Sequence, residues 1–170
     1  MTRSTQIFSA VAVAALAAAL IAVRPATAST ASSSLAVTAG VTKNCVLTAG
    51  TVAFGNYDPV DVNASTPLDR TGTFTVACTK NTAYTVALDL GANASGSTRR
   101  MTSGGGSPDF LSYELYLDAA HNTIWNSTNT SGGTTSNVFA ITLTVYGRVT
   151  AGQNVGAGSY TDTVVSTVNF

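Results

Sequence analysis

The stretch FTVACTKNTAYTVALDLG, Phe74–Gly91, decides the fold. Phe74, Val76 and Cys78 alternate with Thr73, Thr75 and Ala77, and Tyr84, Val86, Leu88 and Leu90 repeat the pattern. Successive side chains on a strand point to opposite faces, so each run has one face for a core and one for water. The same period recurs on either side. Leu35, Val37, Ala39 and Val41 alternate with Ala36, Thr38, Gly40 and Thr42, and the theme returns at Tyr113, Leu115 and Leu117, at Ile141, Leu143 and Val145, and at Tyr160, Val164, Val168 and Phe170. Helical periodicity is nearly absent. Turn-forming segments separate the runs: GNYDP at Gly55–Pro59, GANASGS at Gly91–Ser97, SGGGSP at Ser103–Pro108, DAAHN at Asp118–Asn122, SGG at Ser131–Gly133 and AGQNVGAG at Ala151–Gly158. Short strands so spaced indicate an all-β sandwich.

The first residues have another character. Arg3 gives a positive start, Ile7–Val23 is almost wholly apolar, and ATA at Ala26–Ala28 offers small residues to a signal peptidase. Residues 1–28 are therefore expected to be a cleaved signal peptide, leaving no membrane span. Ser29–Phe170 has the size of one domain with one core, and STASSS at Ser29–Ser34 should be mobile. That part carries six basic and eight acidic residues, a net charge near −2. Nucleic acid is excluded as a partner, because binding phosphates needs clustered Lys and Arg. Charged residues make up 9% of the chain, against roughly 25% in typical soluble domains, so copies repel one another weakly. The two cysteines, Cys45 and Cys78, should pair after export, a cross-link worth about 3.5–4 kcal/mol in the chain-entropy picture. With one His besides, zinc lacks ligands.

Chemistry finds little support. A catalytic triad has only His121 as base, expected to be an exposed turn histidine. SGGGSP lacks the Lys and helix of a phosphate loop and reads as a hairpin connection. Asp58 with Asp61, or Asp109 with Glu114, reads as acids facing water. The sequons at Asn63, Asn93, Asn126 and Asn129 arise easily in a chain rich in Asn, Ser and Thr. Trp125 with Tyr116 could form a sugar-stacking platform, but a single Trp is more often a core residue. Neither an enzyme nor a cofactor is indicated.

The ordered set LAVTAGVTKNC (Leu35–Cys45), FGNYD (Phe54–Asp58), FTVACTKNTAYTVALDLG, RRM (Arg99–Met101), LSYELYLD (Leu111–Asp118) and LTVYGRVTAGQNVGAGSYTDTVVSTVNF (Leu143–Phe170) resembles the spore coat protein U domain family. That family includes the subunits of archaic chaperone–usher pili. The resemblance implies an incomplete immunoglobulin-like β-sandwich of pilin type, completed by a donor strand from another subunit. It implies as partners identical or related pilin subunits, a periplasmic chaperone and an outer-membrane usher, and as destination a cell-surface fimbria reached through the periplasm, serving adhesion or biofilm formation. It divides the chain into residues 1–28, a donor extension at 29–41 and a pilin domain at 42–170. Leu35, Val37, Ala39 and Val41 would be the donor plugs. Val164, Val168 and Phe170, in a strand-like run reaching the last residue, would form the groove wall and the chaperone contact. A coat component of the same family, and a monomeric secreted carbohydrate-binding sandwich, are the alternatives.

Overall fold

The computed structural model describes residues 25–170; most of the expected signal segment lies outside them. The chain divides into a unit ending at Ala39 and a unit Gly40–Phe170. In the first, residues 25–39 form neither helix nor strand, and Leu35 and Val37 are 88% and 84% exposed. The donor segment thus has alternation in its sequence but no ladder partner.

The second unit holds β1 (Cys45–Ala49), α1 (Val62–Ser65), β2 (Leu68–Cys78), β3 (Ala83–Leu88), β4 (Arg99–Thr102), β5 (Phe110–Tyr116), β6 (Ser131–Thr134), β7 (Ile141–Val149) and β8 (Ser166–Asn169). One sheet runs β1-β2-β7-β5-β4 and the other β6-β3-β8, every pairing being antiparallel. The alternation seen in the sequence sorts the faces. Phe74 and Val76 of β2, Val145 and Val149 of β7, and Leu111, Tyr113 and Leu115 of β5 are buried in one core with Tyr84, Val86 and Leu88 of β3. Threonines take the outward positions, as at Thr48, Thr75 and Thr142, which stand in one cross-strand row.

Trp125 is completely buried. Its indole N–H donates to the Val86 carbonyl at 2.8 Å and its ring meets Phe74 edge-on at 5.5 Å, so it is a core residue and no sugar platform. Arg99 is also fully buried. It is held by the Glu114 carboxylate and donates to the Asp89 and Trp125 carbonyls. A buried guanidinium needs this degree of pairing, and Glu114 does not face water as the sequence suggested.

Cys45 and Cys78 form a disulfide between directly opposed residues of β1 and β2. Just before it, Asn44 N donates to the Thr79 hydroxyl at 3.0 Å, Thr79 N donates to the Asn44 carbonyl at 2.9 Å, and the same hydroxyl reaches the Thr42 carbonyl at 3.2 Å. The chain is therefore tied to the sandwich from Thr42 onward.

Two local expectations are corrected. The SGG segment is part of edge strand β6 and not a turn; a Cβ on Gly132 would lie 2.2 Å from the Tyr84 carbonyl oxygen, so only glycine lets β6 approach β3 there. His121 does sit in a turn, at φ 58°, but it is not exposed. Its side chain is 8% accessible, laid edge-on against Tyr116 at 5.0 Å and 3.8 Å from the Asp69 carboxylate.

Candidate functional site

After β1 the chain leaves its partner strand. Gly50 N makes a last bond to the Thr73 carbonyl at 2.8 Å, and residues 51–57 then cross the inner face of the larger sheet. Glycine at 147 permits this, since a Cβ there would lie 2.8 Å from both the Phe54 ring and a Val52 methyl. Phe54 is buried edge-on against Tyr113 at 5.9 Å.

The far end of the segment is bolted down by polar groups. The Tyr57 hydroxyl donates to the Thr150 carbonyl at 2.9 Å and accepts from Gln153 N at 3.0 Å. The Gln153 side-chain amide pairs with both backbone groups of Ser112, at 2.7 and 2.8 Å. It extends the ladder of β5 one step beyond the end of β7, as a peptide group would. Between Gly50 and Asp58, among the described residues, the backbone of residues 51–57 has no backbone hydrogen-bond partner.

The facing wall is the segment from Val155 into β8. Thr161 exchanges bonds with Thr102 at 2.9 and 3.0 Å, Thr163 accepts from Ala92 at 3.0 Å, and Val165 accepts from Asp89 at 3.0 Å. These odd-numbered residues turn their backbone groups toward neighbours. In an extended chain the even-numbered ones turn theirs the other way, so Asp162, Val164, Ser166 and Val168 present free N–H and C=O groups along the sheet edge. Their side chains are half-buried and face inward.

Between the two walls lies a groove of about 1150 Å³. Its floor is the sandwich core itself, reached at Phe74, Leu111, Tyr113, Leu115 and Val145. The polar pair in that floor is already satisfied: Tyr113 OH donates to Asp162 at 2.7 Å, and Asp162 also accepts from the Asn93 side chain at 2.8 Å. Burial, with this bond added, pushes the Tyr113 phenol well above its ordinary range. A peptide strand is the occupant for which such a site is suited. It would pair with the free edge through its backbone and cover the floor with alternate side chains.

Of the residues expected from sequence, Val164 lines this groove, Val168 packs on the core one turn of the pleat further along, and Phe170 is 54% exposed. Leu35, Val37, Ala39 and Val41 are exposed. The opposite wall, Val52, Phe54 and Tyr57, and its Gln153 anchor were not anticipated. FGNYD was noted only as part of a resemblance, and a wall without ladder partners carries no strand signal of its own.

The fold is that of a known pilus subunit. The chain superimposes on a chaperone–tip adhesion subunit pre-assembly complex from archaic chaperone–usher Csu pili of Acinetobacter baumannii with a TM-score of 0.52 at 24% identity, covering 76% of this chain. The chain spans 40% of the length of that one. In sequence it is 40% identical over 175 aligned residues to Protein U of Myxococcus xanthus, covering 95% of this chain and 97% of that protein. The model of the Spore Coat Protein U domain matches residues 31–167, which take in both groove walls and the segment before Cys45; on this the chain belongs to the Spore Coat Protein U domain family.

Proposed function

We propose that the protein is an exported structural subunit of a bacterial surface polymer, a pilus or fimbria assembled by the chaperone–usher route through donor-strand exchange. The observation that carries this is the groove, an apolar floor bordered by backbone groups that lack partners. In this reading residues 1–28 direct export, residues 29–41 enter the groove of another copy, and residues 42–170 form the acceptor. Leu35, Val37, Ala39 and Val41 project to one side of an extended arm and supply the plugs. Burying the three larger ones contributes on the order of 5–9 kcal/mol before ordering costs. Until assembly a periplasmic chaperone holds the groove and touches Val164, Val168 and Phe170, and an outer-membrane usher passes the subunit outward. The shared fold with a subunit crystallised beside its chaperone supports this order of partners. Adhesion or biofilm formation is the service such a fibre performs.

A second reading, a coat component joined in the same way, is favoured by the near full-length identity to Protein U. The joint is common to both; the place where the polymer is laid down differs.

The test expresses the full chain with its chaperone and usher and runs the surface fraction unboiled in SDS. A ladder of multiples is expected, and deleting Ser29–Val41 should abolish it while chaperone capture continues. A ladder that survives the deletion sinks the donor assignment. Immunogold labelling of growing cells and of spores separates fibre from coat.

A further inference from the structure

At the end of the groove marked by Tyr57, the turn Asp58–Val62 carries Val60, 89% exposed, and Val62, 61% exposed. The turn is rigid. The Asp58 carboxylate accepts from Val60 N at 3.0 Å and Asp61 N at 3.1 Å, while the buried Asn63 side chain accepts from Asp58 N at 2.9 Å and donates to the Thr66 carbonyl at 2.9 Å. Two valines held in water by a built scaffold mark a contact surface, and Val60 itself lines the groove.

Given donor-strand assembly, we propose that this acid-edged valine knob docks against the body of the next copy of this chain, at the root of its donor arm. Three observations choose that occupant. Every ladder in the structure is antiparallel, and an arm added antiparallel to β8 runs from the Val168 end toward Tyr160, bringing its last plug, Val41, to the knob. The chain of the donor is tied to its own sandwich from Thr42 onward, so only about 3.5 Å per residue separates plug from body. The incoming sandwich has no slack to stand clear of Val60. The rim it presents there is basic: Lys43 and Lys80, the two lysines of the protein, flank the bonded pair Asn44 and Thr79 and are exposed, while Asp61 on the knob is exposed with its carboxylate uncommitted among the described residues.

The experiment places p-benzoylphenylalanine at Val60, and separately at Val37, in the full chain, and irradiates the assembled polymer. Position 37 should link to the groove wall of a neighbour. Position 60 should link to residues 42–44 or 79–81 of the neighbour whose arm fills that groove. Asp61→Lys should lower the position-60 yield about threefold to fivefold, the range of an exposed ion pair, and adding Lys43→Glu with Lys80→Glu should restore it. Links from position 37 but none from position 60, or links from 60 to the region of Val46 or Phe170, overturn the knob and leave donor exchange standing. Failure at both positions overturns donor exchange, and the knob with it.

Discussion

Charging one plug of the donor arm tests the assembly directly. Val37 is 84% exposed, so nearly all of its transfer free energy, about 1.5–3 kcal/mol, is still available for capture in a neighbouring groove. Val37→Asp forfeits that gain and carries a carboxylate onto a floor whose one polar pair is already satisfied. Desolvating an unpaired acid adds a few kcal/mol more. The sum, about 4–6 kcal/mol, corresponds to a loss of roughly 10³–10⁴ in the affinity of the joint. Thr38 lies one residue on and faces the other side of an extended arm, so Thr38→Asp should leave the joint almost intact. Polymers from both variants, titrated with SDS and heat before electrophoresis, provide the comparison. Equal resistance in the two variants, or greater loss in Thr38→Asp, would refute the plug register and with it the reasoning.

Three further outcomes are expected. Reducing Cys45–Cys78, whose cysteines are separated by 33 positions, should lower the unfolding free energy by about 3.5–4 kcal/mol, read from urea titrations with and without reductant. Trp125→Phe keeps an aromatic ring beside Phe74 but leaves the Val86 carbonyl without its donor, and should cost about 1–3 kcal/mol in the same titration. The Asp69 carboxyl is held below its ordinary value of 3.8, first by its hydrogen bond to Arg148. A depressed acid contributes stability above its unfolded value and loses it as pH falls through its folded one. The melting temperature of Asp69→Asn should therefore lie below that of the unaltered protein at pH 7, and the gap should close as the pH drops below 3.8.

What the sequence revealed followed from burial. Period-2 patterns at Phe74–Cys78, Tyr84–Leu88 and Tyr113–Leu115 became the inner faces of three strands, because one face of each packs on a core and the other meets water. The signal failed where other forces decide. β6 is a Gly-Gly strand defined by close approach to β3, and β4 is built around a buried arginine that reads as a surface residue. His121 has the composition of an exposed turn, and only the tertiary fold lays it on Tyr116. Half of the groove was legible, as Val164 and Val168 on an alternating run. The other half, residues 51–57, is shaped by Gly147 more than ninety residues away, a relation that no local window contains.

The cross-strand disulfide has a mechanical meaning in any polymer of this kind. A subunit tugged through its amino-terminal arm takes the load at Thr42–Cys45, the end of β1, where rungs would otherwise peel away from β2 one after another. With Cys45 covalently fixed to Cys78, tension enters β1 and β2 together and spreads across the nine paired residues that join β2 to β7. The weakest link under force then moves out of the subunit and into the seat of the borrowed strand, so that overload parts one copy from the next with each sandwich still folded.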